Sequence, residues 1–178
     1  MEHLERHPMK KIIRGIYEWS KMILFALIVA FWLKNNVVAS ALVPTGSMEG
    51  TVMTGSRIVI NRLAYLHDNP QRGDIVSFYY PDDGETLYLK RIIGLPGEVI
   101  EGIDSKIYID GKEIPDYTGN KFYEDFGPYT IPEGCYFMMG DNRNNSWDSR
   151  FWDNKFVNLE DIVGKATFEY YPEMKVLK

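Results

Sequence analysis

Lys90 lies inside TLYLKRIIGLPGE, residues 86–98, with apolar side chains on either side of it. A period of two puts Thr86, Tyr88, Lys90 and Ile92 on one face of a strand and Leu87, Leu89, Arg91 and Ile93 on the other. Gly94 and the pair Pro96-Gly97 then end the strand in a turn. Burial disfavours an ammonium group, so a lysine in this setting titrates low, and a neutral amine is a general base. The same spacing also suits an edge-strand lysine that reaches back to water and does no chemistry. A second candidate is Ser47 in VPTGSMEGTV, residues 43–52. Pro44, Gly46 and Gly50 force turns there, so Ser47 is presented on an irregular segment with the Thr45 hydroxyl two residues before it. A plain linker has the same composition. A third is GDNRNNSWDSR, residues 140–150, which is dense in polar side chains and follows an apolar run. A surface turn with Asn and Asp in left-handed conformations is the plainer reading of such a stretch.

The base can be approached by elimination. A serine nucleophile needs a group to take its proton, and histidine is the usual one. His3 and His7 precede a long apolar segment, and His67 sits in the polar stretch LHDNP. A Ser-His-Asp triad is poorly supplied. A serine activated by a desolvated lysine is the alternative scheme, and Lys90 has the surroundings for it.

Other motifs lead nowhere. Residues 141–145, DNRNN, resemble the start of a calcium loop, but Arg143 takes a ligand position and Trp152 falls where the closing glutamate belongs. Arg72-Gly73-Asp74 spells an adhesion tripeptide, yet it also serves as the turn into a strand. The single cysteine, Cys135, cannot form an internal disulfide, and its apolar run CYFMMG reads as a buried thiol. Three histidines and one cysteine, scattered, show no metal-ligand spacing. A net charge of -5 leaves nothing basic enough to neutralise phosphates, which argues against a nucleic-acid partner.

The elements that must carry these residues follow from pattern. At 178 residues one main domain is expected, with room for a sizeable core. Residues 1–21 are polar and basic, with Arg6, Lys10, Lys11, Arg14 and Lys21; residues 22–33, MILFALIVAFWL, are unbroken apolar sequence. A signal peptide cut near Ala39-Ser40-Ala41 and a membrane anchor extended by Ile16, Tyr17 and Trp19 both fit, and both leave the basic end in the cytoplasm. This divides the chain into a cytoplasmic segment, 1–21, an anchor and exit, 22–40, and an extracytoplasmic domain, 41–178. From Val43 on the pattern is β. Residues 57–60, 74–80, 86–94, 98–101, 135–139 and 163–171 read as strands, and 106–114 as a hairpin turning on Asp110-Gly111. Residues 119–132 lack a period and read as a loop. The expected fold is mainly β: an antiparallel β-sheet domain with one N-terminal transmembrane helix.

With these residues in place, the chain resembles the bacterial type I signal peptidases, or leader peptidases, in their short Gram-positive form. PTGSM, RGDIVSFYYP, YLKRIIGLPGE and GDNRNNSWDSR stand in that family's order and spacing. The resemblance implies a β-rich, membrane-anchored serine endopeptidase with a Ser-Lys dyad, its catalytic domain outside the membrane and its anchor retained. It implies no metal and no organic cofactor. The partners implied are exported preproteins with signal peptides, membrane lipid and the protein translocation machinery. Position by position, Ser47 corresponds to the nucleophile and Lys90 to the general base. Ser146 corresponds to the serine that orients the lysine, and Thr45 to the oxyanion-hole hydroxyl. Asp148 with Arg150, and Asp141 with Arg91, correspond to ion pairs expected to hold the last motif against the lysine strand. Val43, Met48, Val52, Tyr88 and Leu89 correspond to the lining of pockets for small side chains. The chain departs from the family's Ser-Met-x-Pro-Thr at Glu49-Gly50. That keeps open a specialised peptidase for pilus or conjugation proteins; a non-catalytic membrane-tethered β module is the rival outside the enzymes.

Overall fold

The structure, a computed structural model, describes residues 6–177. The first five residues, His3 among them, and Lys178 lie outside the described residues. Two compact units are present, Met1–Val37 and Val38–Lys178.

The first unit is a helix, α1 (Arg6–Asn36). It begins well before the apolar core at residue 22, because the basic stretch is also made of good helix formers. Glu18 and Lys21 pair across one turn at 2.8 Å, and the Lys21 ammonium sits 4.6 Å from the Tyr17 ring centre. Lys34 lies in the last turn, where a cation complements the helix dipole. Residues Lys11–Asn36 are long and apolar enough to cross a membrane.

The second unit is built from antiparallel strands: β1 (Val38–Leu42), β2 (Arg57–Asn61), β3 (Ile75–Tyr79), β4 (Leu87–Gly94), β5 (Val99–Ile103), β6 (Lys106–Ile109), β7 (Lys112–Glu113), β8 (Phe126–Thr130), β9 (Cys135–Met139), β10 (Val157–Asn158), β11 (Ile162–Tyr171) and β12 (Lys175–Val176). One sheet runs β1-β2-β11-β3-β4-β9-β10, with β12 paired to β11; a smaller one runs β7-β6-β5-β8. The large sheet coils on itself. Ala41 from one end of its order and Leu89 from β4 pack against the same buried cluster, which includes Val43, Met48, Ile58 and Ile75. Val76, Phe78, Ile92 and Trp152 form a second cluster. The small sheet buries Ile100, Phe126 and Phe137 in a third.

Two expectations are corrected. The β pattern starts at Val38 rather than Val43, because Ala39-Ser40-Ala41 is held in β1 by its partner Ile58–Ile60 of β2. Ala and Ser carry little β signal of their own, so pairing decides their state. Residues 126–130, read as loop, form β8. Pro128 breaks the alternation, and the strand survives because it is the edge of its sheet, where a missing N–H leaves no ladder bond unmade. The hairpin is as expected: Asp110 and Gly111 have φ of 50° and 75°, the left-handed pair of a tight turn.

Candidate active site

Lys90 occupies β4 opposite Val76 of β3 and is 4% exposed. Its Nζ lies 2.5 Å from the Ser47 Oγ in a hydrogen bond, and 5.3 Å from the centre of the Tyr88 ring. Burial lowers its pKa from the ordinary 10.5 to about 8. The Asp148 charge resists that fall, Arg150 adds to it, and Asp141 resists it. A substantial neutral fraction is therefore present near pH 8. In that form the Ser47 O–H donates to the amine; when Lys90 is protonated the ammonium donates to Oγ.

Ser47 is carried by a single 3-10 turn, Gly46–Met48. Met48 and Val52 anchor the turn in the core, and the Val52 N–H donates to the Met48 carbonyl at 2.8 Å. Thr45 is extended, with φ -124° and ψ 156°, and its hydroxyl oxygen lies 3.4 Å from the Ser47 Oγ. Gly50 has φ +99°. Proline is locked near -65°, so this turn has a shape that a proline at that position forbids.

The last motif closes over Ser47. The Asn142 N–H donates to the Ser47 carbonyl at 3.0 Å, and its side-chain amide donates to the Gly46 carbonyl at 3.0 Å. Gly140 is there because nothing larger fits. A Cβ on it would come within 2.2 Å of the Ser146 Oγ and 2.5 Å of the Ser47 carbonyl oxygen.

Both expected ion pairs are formed, with different jobs. Arg91 of β4 grips Asp141 through Nε at 2.9 Å and a terminal nitrogen at 2.7 Å, both groups buried, and so ties the motif to the lysine strand. Arg150 and Asp148 pair at 2.8 and 2.9 Å within the motif itself. Asp148 also accepts from the Gly140 N–H at 2.9 Å, and Arg150 donates to the Arg143 carbonyl at 2.6 Å. This second pair shapes the loop and does not reach the strand, as two residues apart on one turn they satisfy each other.

A cavity of about 750 Å³ brings Thr45, Ser47, Lys90 and Ser146 together with Val43, Met48, Tyr88 and Leu89. Val52, expected among its lining, is instead turned into the core behind Met48. Ser146 is buried, and among the described residues its Oγ has no hydrogen-bond partner. The expected bond to Lys90 is not formed, since that amine is engaged by Ser47. His67 is exposed and lies off the cavity. Strand β9 pairs with β4 only from Arg91 to Gly94, so the backbone edge of residues 87–90 on that side has no strand partner among the described residues. An extended peptide can add there as a further strand, with its carbonyl carbon against Ser47.

Residues 16–171 match the family model for signal peptidase, peptidase S26. The chain belongs to this family. Signal peptidase I T of Bacillus subtilis (strain 168) is 37% identical over 186 residues, covering 95% of this chain and 93% of that protein. Signal peptidase I S of the same strain is 35% identical over 171 residues, covering 89% and 91%. A crystal structure of a signal peptidase I from Enterococcus faecalis V583 is 34% identical, with a TM-score of 0.49, covering 56% of this chain and 98% of that one.

The arrangement puts a serine hydroxyl, an amine of lowered pKa and a second hydroxyl within reach of one another. Asn142 and Gly140, which fix where Ser47 stands, escaped the sequence reading. Asn142 sat inside a recognised motif, but its amide acts on a turn 95 residues away, and no local pattern marks such a contact. Within Arg72-Gly73-Asp74 the aspartate faces inward: Asp74 is buried and accepts from the Tyr65 hydroxyl at 2.9 Å and from the Lys165 ammonium.

Proposed function

We propose that this chain removes signal peptides from exported preproteins as a membrane-anchored serine endopeptidase, with Ser47 as nucleophile and Lys90 as general base. The 2.5 Å contact between the Lys90 Nζ and the Ser47 Oγ is the observation that carries the reading. Neutral Lys90 takes the hydroxyl proton as Oγ attacks the peptide carbonyl. The Thr45 hydroxyl and the Ser47 N–H stabilise the oxyanion. Lys90, now protonated, passes its proton to the leaving amine, and an acyl-enzyme remains on Ser47. Esterified Ser47 can no longer hold the lysine, and the buried, unbonded Ser146 hydroxyl takes over that task. Lys90 then activates the water that releases the acyl group. Val43, Met48, Tyr88 and Leu89 favour small side chains at the first and third positions before the cut.

Residues 11–36 anchor the chain in lipid, with the basic stretch Lys10, Lys11 and Arg14 on the cytoplasmic side and the second unit outside. Preproteins arrive from the translocation machinery in the same membrane, which raises the effective concentration of each partner for the other. The test is cleavage of a preprotein by the full chain in detergent, with mass spectrometry of the new N-terminus. Wild type is expected to cut once, after a small residue, and Ser47→Ala to leave the preprotein intact. An uncut preprotein with the wild-type chain would make it a binding module.

A further inference from the structure

Ser77 is a polar group in an apolar recess of the cavity. It lies in β3 directly opposite Leu89 and is 5% exposed. It lines the cavity together with Ala41, Ile58 and Ile60, and these apolar side chains with Leu89 belong to or pack against one core cluster. Its hydroxyl makes no side-chain hydrogen bond among the described residues and opens into the cavity. A hydroxyl shut into apolar surroundings without a partner is costly, and a bound substrate closes this recess to water. The recess therefore discriminates by chemistry as well as by size.

We propose that Ser77 is a specificity-determining residue that recognises a hydroxyl-bearing side chain, serine or threonine, at the third substrate position before the cut. The inference rests on the proposed peptidase function. Its place in the cavity sets the position. The residue before the cut must present its carbonyl to Ser47 beside Lys90. On an extended chain the side chain two residues upstream points the same way, roughly 7 Å farther along. Ser77 and its partner Leu89 face the other side of the strands from Val76 and Lys90. Yet they line the same cavity in the recess with Ala41, Ile58 and Ile60, displaced from Lys90 towards the free edge at residue 87, where the upstream side chain enters. A serine or threonine there gives the Ser77 hydroxyl a partner. An alanine or valine leaves it dehydrated and unpaired.

The test uses the full chain in detergent and preproteins that differ only at the third position: serine against alanine, and threonine against its near-isostere valine. Wild type is expected to favour the hydroxyl member of each pair by about fivefold or more in kcat/KM, the size of one buried hydrogen bond. Ser77→Ala should erase both preferences, and Ser77→Thr, which keeps the hydroxyl, should retain them. Serine moved to the first position should not respond to Ser77→Ala. Equal cutting of both members by wild type, or a preference that survives Ser77→Ala, overturns the assignment of Ser77 while leaving the peptidase reading intact. Failure of wild type to cut any of the substrates overturns that reading, and this inference with it.

Discussion

The Asn142 N–H and the Ser47 carbonyl oxygen meet at 3.0 Å, and the same asparagine's side chain holds the Gly46 carbonyl at 3.0 Å. Two bonds from one residue thus fix the plane of the turn that aims the Ser47 hydroxyl. Asn142→Ala removes the side-chain bond and keeps the backbone one. We expect kcat to fall on the order of tenfold to a hundredfold, from misplacement of Ser47, with KM little changed. Steady-state kinetics beside a thermal melt checks this: a loss of kcat that tracks a loss of folded protein would assign Asn142 to stability alone.

Gly140 offers a steric counterpart. A methyl group there meets the Ser47 carbonyl oxygen at 2.5 Å and the Ser146 Oγ at 2.2 Å, and the first is backbone that cannot swing aside. Gly140→Ala is expected to drive the last motif away from the nucleophile turn and remove most activity. Full activity in this variant would mean that the two segments separate more easily than their packing implies.

Lys90 makes activity and stability depend on pH in adjoining windows. Its pKa in the folded protein is about 8, against an ordinary 10.5. Only the neutral amine is a base, so kcat/KM rises as pH climbs through about 8 and then levels. For stability the sign is set by proton counting. Between about 8 and 10.5 the unfolded chain holds more protons than the folded one, so stability rises with pH across that interval. Below it the burden of a buried ammonium is present in full. Lys90→Met removes that burden and should raise Tm more at pH 7 than at pH 10.5. Melting curves of both proteins at the two pH values check the difference; equal shifts would mean that Lys90 is not desolvated.

Arg91 and Asp141 form a buried two-bond pair between the lysine strand and the last motif. Removing one partner strands the other charge in the interior. Asp141→Ala is expected to destabilise the chain by on the order of 3 kcal/mol in denaturant unfolding, more than an exposed pair would. A double-mutant cycle with Arg91→Met should return a large coupling energy. A near-additive result would show that each residue is held by other contacts.

Much of this architecture can be read from the chain before any coordinates. Alternation set β4 and put Lys90 inside it, and Asp110-Gly111 marked the hairpin, because both signals are local. What escaped was non-local or cut across local preference. The strand at Ala39-Ser40-Ala41 exists through its pairing with β2, and β8 persists despite Pro128 because it has an edge to itself. Val52 follows the nucleophile closely in sequence, yet the turn at Met48 sends it into the core and off the cavity. The ion pair Asp148–Arg150 reads as a brace between segments, but its two members are close enough in the chain to close on one another. The hydroxyl of Ser77 carries no mark in a strand rich in apolar residues; only the cavity wall reveals it.

An amine from the interior of β4 is proposed to remove the proton of Ser47. Single-turnover cleavage of a preprotein by Lys90→Met, beside wild type and with the fold of the variant confirmed by circular dichroism, tests it most directly. No product is expected from the variant on the timescale in which wild type completes the reaction. Turnover at the wild-type rate would contradict it.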